Sequence, residues 1–309
     1  RVQMELEKLS KKNVDPLELG ERLLITGETS EAEKVLRRAT RMLKNDKRRL
    51  ADAMISLGVA FYRNGKVKRS LKTFMESLRL CEQVGYKPGV ARSYSGLGLA
   101  YSSLRKPLEE ALKYHEKALE VAREAGTPGV EARVLSNMGI TYLMNDKPED
   151  ALRIFREAVE KAKMDGERHV EAMAFTNMAG ALRVMGWLSE EVDARKRAVM
   201  IFDELGNVRD AAVNRFEMAF ALSQMNNFDE AAEIAEQARK GFLQVKDKNM
   251  VKATDELIRK LRIKERTCPS CGAMILVEGL EYCPLCDASL VEEKRRRMRL
   301  PSLKLTRKL

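Results

Sequence analysis

A small residue inside an apolar stretch returns along this chain with a period close to forty. Gly20, Gly58, Gly98, Gly139, Ala179 and Ala219 are separated by 38, 40, 41, 40 and 40 residues. A period of that size marks a stack of similar supersecondary units, because one such unit cannot bury its own apolar face and must lean on its neighbours. Each unit has the same internal grammar. Three residues after the small one comes a bulky apolar group: Leu23, Phe61, Tyr101, Tyr142, Leu182, Leu222. A polar turn follows. A second segment then carries small residues at Ala32, Ser70, Ala111, Ala151 and Ala231, and again seven positions on at Ala39, Ser77, Ala118, Ala158 and Ala238. Between them stand larger groups such as Leu36, Phe74 and Phe155. Offsets of three, four and seven place these groups on one helical face, so the unit reads as a helix pair. A glycine inside the first helix costs about 1 kcal/mol against alanine, which the close approach of the partner helix offsets.

Composition agrees with an all-α chain. Charged residues make up 33% and aromatics 6% of the 309 residues, and Ala, Leu, Glu, Lys and Arg favour helix. No run of 18 apolar residues occurs, so no membrane-spanning helix is expected and a cytoplasmic location is.

The helix-pair pattern resembles the tetratricopeptide repeat over about residues 15 to 248, roughly six units. The long period resembles the kinesin-light-chain-like subgroup, as do Asn137-Met138-Gly139 and Asn177-Met178-Ala179. The resemblance implies a right-handed superhelix. It also implies an inner groove in which an Asn before the small residue binds peptide backbone. By that resemblance Asn137 and Asn177 are groove residues, with Arg92 and Arg133 beside them; the competing reading is that these side chains bridge helices within the array. The fifth unit departs from the pattern: Glu191 and Arg195 stand where an Ala and a bulky apolar group are expected. Looser stacking or a contact there is the expectation. Unit three has one extra residue in its turn, near Lys106 and Pro107. Residues 249 to 265 read as a last helix capping the solenoid, giving a domain over 1–265.

A different chemistry begins after that helix. Cys268 and Cys271 form one C-x-x-C knuckle, Cys283 and Cys286 a second, with eleven residues between. Two knuckles present four thiolates to one ion in a closed tetrahedral site, so residues 266–291 read as a small zinc ribbon with one structural Zn. An iron centre of rubredoxin type shares the ligand set. The fifth cysteine, Cys81, stands alone, which fits a reducing compartment better than a disulfide scaffold.

Charge is segregated. The net charge is +11, yet Lys34 to Arg79 carries +11 and residues 294–309 carry +8, which leaves −8 for the rest. The tail over 292–309 opens on Glu292 and Glu293 and then, from 294 to 309, holds Lys294, Arg295, Arg296, Arg297, Arg299, Lys304, Arg307 and Lys308 with no acid. Such zones fit a polyanion, because Arg pairs bidentately with phosphate and counterion release drives binding. Pro301 interrupts any membrane-binding helix in the tail.

Catalysis is not expected. There are two histidines, and His115 falls where the repeat wants a bulky core group. Gly96-Leu97-Gly98 lacks the strand and remaining glycine of a phosphate loop. Repeats, ribbon and basic tail together resemble archaeal tetratricopeptide/zinc-ribbon proteins, including ribosome hibernation and dimerisation factors. The resemblance implies an adaptor that binds the ribosome or ribosomal RNA through ribbon and tail. The solenoid would then contact a protein partner or a second copy, as in a homodimer. The alternatives are a peptide-binding scaffold without an RNA function and a DNA-bound regulator.

Overall fold

A computed structural model describes residues 14–262, 266–267, 270–272, 274–275 and 282–287. Among them are thirteen helices: α1 (Pro16–Ile25), α2 (Thr29–Met42), α3 (Lys47–Arg63), α4 (Val67–Gln83), α5 (Lys87–Ser103), α6 (Leu108–Ala125), α7 (Val130–Met144), α8 (Pro148–Met164), α9 (Arg168–Val184), α10 (Leu188–Glu204), α11 (Val208–Gln224), α12 (Phe228–Gln244) and α13 (Lys248–Arg262). A two-residue antiparallel hairpin, β1 (Arg266–Thr267) with β2 (Met274–Ile275), follows. The expected last helix is α13.

Helix ends follow local rules. Asp15 accepts from the Leu17 amide at 3.1 Å, Asp46 from Arg49 at 3.1 Å and Asn207 from Asp210 at 3.3 Å. Pro16, Pro88 and Pro148 occupy the first turns of α1, α5 and α8, where no intrahelical donor is lost. The α3–α4 turn needs a left-handed residue, and Gly65 supplies it at φ 72°. In unit three that place falls to Arg105, at φ 53°, ahead of the extra residue.

The small-large grammar is the packing itself. A Cβ added to Gly20 would lie 2.5 Å from Leu36, one on Gly58 2.7 Å from Phe74, one on Gly98 2.5 Å from His115, and one on Gly139 2.5 Å from Phe155. The first helix is therefore notched where the second helix inserts its large group. Ala32, Ala39, Ala111, Ala118, Ala151, Ala158, Ala231 and Ala238 are completely buried. Serines replace alanines in the second unit without leaving orphaned hydroxyls. Ser70 Oγ donates to the Gly58 carbonyl at 2.8 Å, and Ser77 Oγ lies 2.8 Å from Ser93 Oγ.

The fifth pair corrects an expectation. Its stacking is not looser: Glu191 is fully buried and Arg195 is 5% exposed. Arg195 Nε donates to Glu191 at 2.8 Å, Arg183 Nη2 reaches the same carboxylate at 2.6 Å, and Arg195 Nη1 lies 3.3 Å from Asn214 Oδ1. An internal ion network fills the space that Ala and a bulky group fill elsewhere. Burial pushes the Arg195 guanidinium below its usual value, and Glu191 only partly offsets this.

Candidate functional site: the concave face and the cysteine cluster

Among the described residues, first helices of successive pairs touch one another over most of the array (α1 with α3, α3 with α5, α5 with α7, α7 with α9), whereas second helices of successive pairs make at most marginal contact. The array therefore curves with first helices inside. The curve is tight enough to bring distant units together. Arg209, at the start of α11, donates to the Thr26 carbonyl in the α1–α2 turn at 3.2 Å. The Tyr62 hydroxyl lies 3.8 Å from Met144 Sδ. Among the described residues no helix is long and apolar enough to cross a membrane.

The four groove residues read from the sequence divide into two kinds. Arg92 is engaged: its Nη1 donates to Asp52 at 2.9 Å, and the Tyr86 hydroxyl donates to the same oxygen at 3.0 Å. Asn137 Nδ2 donates to Ser95 Oγ at 2.9 Å. These two stitch neighbouring first helices together. Arg133 is accessible to water yet hemmed in by the surrounding protein, and its guanidinium makes no hydrogen bond or ion pair to a described residue, while its backbone amide donates to the Gly129 carbonyl at 3.1 Å. The surrounding protein, and then Arg92, depress its guanidinium pKa; Glu167 and Glu21 oppose the shift. Asn177 is half-buried on α9, one turn before Gly180, where an added Cβ would meet nothing within 4 Å.

The same field includes residues that the sequence reading passed over as groove residues. His169, in the first turn of α9, has a buried Nε2 without a hydrogen-bond partner, and its ring stands edge-on to Phe202. Burial lowers its pKa, Arg133 and Arg63 lower it further, and Asp210 and Glu167 oppose them. Arg63, at the end of α3, donates to the Leu24 carbonyl at 2.6 Å. The available signal was position: Arg63, His169 and Asp210 lie in end turns of first helices, as Arg133 does, and Arg92 is one turn further in.

His115 is the core group expected from its register. It is completely buried, its Nε2 lies 2.8 Å from Thr141 Oγ1, and burial lowers its pKa to about 3. Cys81 is also buried, which raises its thiol to about 11. Neither faces the groove.

At the other end of the chain, the Sγ atoms of Cys271, Cys283 and Cys286 all lie within 4.8 Å of one another. Cys271 Sγ and Cys283 Sγ are 3.7 Å apart. A tetrahedral zinc thiolate site with Zn–S near 2.3 Å has S–S edges of about 3.8 Å, against about 2.05 Å in a disulfide. The sulfur spacing therefore fits a metal tetrahedron with one corner to be supplied. Cys268 lies outside the described residues, as do tail residues Lys294, Arg295, Arg296, Arg297, Arg299, Lys304, Arg307 and Lys308.

Residues 103–164 match the tetratricopeptide repeat family model. No curated protein sequence matches the chain. Among solved structures, the chain is similar to a signal-transduction ATPase with a tetratricopeptide-repeat sensor from Pyrococcus horikoshii, at TM-score 0.57 and 19% identity. The match covers 80% of this chain but only 38% of that one. It is similar to a Rap protein complexed with competence and sporulation factor, at TM-score 0.57, 13% identity, 79% of this chain and 72% of that. The quorum sensor NprR from B. thuringiensis gives TM-score 0.55 and 17% identity over 85% of this chain and 75% of that. At these identities the likeness is one of fold: α1 to α13 form a helical-repeat solenoid of tetratricopeptide type.

Proposed function

We propose that this chain is a non-enzymatic interaction adaptor whose concave face holds an extended segment of a protein partner. One observation carries the reading: among the described residues the Arg133 guanidinium on first helix α7 and the buried Nε2 of His169 on first helix α9 have no partner, and α9 also carries Asn177 and the open notch at Gly180. A stability-optimised array would satisfy such groups internally, as it does at Arg92 and Asn137. The proteins of similar fold solved with a bound factor or peptide, a Rap protein with competence and sporulation factor and NprR with its cognate peptide NprX, lend support by analogy only. The test places a photo-crosslinking residue at Asn177 on the concave face or at Glu160 on the outer face, in cells. Adducts at 177 and none at 160 support the reading. Equal labelling at both positions removes it.

A second reading concerns the C-terminal part. Cys268, Cys271, Cys283 and Cys286 would hold one structural zinc, fixing a ribbon that precedes eight cations between residues 294 and 309. Ribbon and tail would dock the adaptor on ribosomal RNA in the cytoplasm, leaving the solenoid for a protein partner or a second copy, as a hibernation or dimerisation factor requires. Co-sedimentation with ribosomal subunits across a salt series tests this. Loss of pelleting when the chain ends at Val291 is expected; equal pelleting without the tail refutes a tail anchor.

A further inference from the structure

We propose that the outer face of α2 and α4 is a second nucleic-acid surface, one that grips the phosphate backbone without reading sequence. It rests on the RNA-docking reading above and assigns it a site in the solenoid, away from ribbon and tail. Fourteen Lys and Arg lie between Lys34 and Arg79. Folding neutralises some of them: Lys34 pairs with Glu31, Arg37 and Lys66 with Glu33, Arg49 with Asp15, and Lys72 with Glu76. Arg38, Arg41, Lys44, Lys68, Arg69 and Arg79 are all exposed and form no ion pair with a described residue. Both helices pack on α3, so these cations occupy the side of the solenoid away from the concave wall.

The rest of the outer surface is built differently. In α6, α8, α10 and α12 acids equal or outnumber the Lys and Arg, and some of them pair, as in Arg123 with Glu131, Lys161 with Asp165 and Arg239 with Asp255, whereas in α2 and α4 the cations outnumber the acids. An ordinary solvated helix surface would look like that second region. The first region concentrates unpaired positive charge, which attracts a polyanion and gains by counterion release. Among the described residues, its exposed large apolar groups are Met42 and Met75, and no exposed aromatic side chain stands there. Stacking platforms for unpaired bases are therefore lacking, and phosphates are the groups the face can hold. Because this face and the concave wall lie on opposite sides of the helix layer, nucleic acid and a protein segment would bind together without competing.

The experiment measures fluorescence anisotropy of two 20-base-pair RNA duplexes of unrelated sequence with the full chain, from 50 to 300 mM NaCl. The test variant carries Arg38→Glu, Arg41→Glu, Arg69→Glu and Arg79→Glu. A milder set changes the same four residues to Gln and guards against misfolding. The control carries Arg156→Glu and Lys240→Glu. Wild-type chain should bind both duplexes within twofold of each other. The Glu set should lose at least about tenfold at 100 mM NaCl, and the slope of log K against log salt should become shallower by about 3. The Gln set should move the same way by a smaller factor, and the control by less than about twofold. Unchanged affinity and slope in both sets would overturn the proposal while leaving the tail as an RNA anchor. No binding by wild-type chain at 50 mM would remove both readings. Strong preference for one duplex would also overturn it. So would a change in oligomeric state on gel filtration with RNA binding unaltered, which would make the face a protein contact.

Discussion

Replacing Glu191 with Ala restores the small residue of the repeat and should nevertheless weaken the solenoid. The carboxylate is fully buried and holds Arg195 at 2.8 Å and Arg183 at 2.6 Å. Arg183 keeps a second partner in Glu217, but Arg195 is 5% exposed and has otherwise only Asn214. Burial already works against its charge. Removing one member of a buried pair typically costs about 3–5 kcal/mol, because the other is left uncompensated. The double variant Glu191→Ala with Arg195→Leu installs the small-large pair seen at Ala32 and Leu36. It should recover nearly all of the loss, and a gain of about 1–4 kcal/mol over wild type has precedent in such replacements. Repeat arrays need not unfold in one step, so the assay is native-state hydrogen exchange over α9 to α11 alongside urea unfolding. A loss of 3 kcal/mol accelerates exchange there by roughly 100-fold. A single variant within about 0.5 kcal/mol of wild type, or a double variant no better than the single, would refute the argument that an uncompensated guanidinium is what costs stability.

Three further outcomes follow from other parts of the fold. His115 is neutral when folded, at a pKa of about 3, and near 6.5 when unfolded, so its contribution is complete above pH 6.5 and lost as pH falls toward 3. Between pH 7 and 5 that amounts to about 2 kcal/mol, and the pair His115→Phe with Thr141→Val should remove this part of the pH dependence of urea midpoints; an unchanged dependence would mean the ring is protonated in the native state. With metal bound, thiol titration by a disulfide reagent should find no fast-reacting cysteine, then four after chelation and the fifth, Cys81, only on unfolding; a fast Cys81 would contradict its burial. Arg209→Ala removes a cross-ring hydrogen bond worth about 1 kcal/mol, so the radius of gyration in solution scattering should rise; an unchanged radius would show that curvature is set by nearest-neighbour packing alone.

The repeat was legible because its information is local. Gly58 and Phe74, or Gly139 and Phe155, lie sixteen residues apart, and their fit recurs in unit after unit. The cysteine knuckles were legible for the same reason, and the 3.7 Å sulfur spacing agrees with their reading as metal ligands. The groove residues were legible only as positions. Arg92 and Arg133 occupy corresponding places, but Asp52 claims the first and nothing described claims the second, and that choice depends on side chains forty residues away.

Sequence alone therefore determined the helix pairs, their small-large contacts and the cysteine pattern, all of which rest on offsets within one unit. Tertiary structure decided what depends on the sum over units. Glu191 and Arg195 read as a break in the small-large pattern in one dimension, and only the packed helices show them buried together as an ion pair. Arg209 meets Thr26 across 183 residues because small rotations between successive pairs add up to a nearly closed curve, and no single offset in the chain encodes that sum.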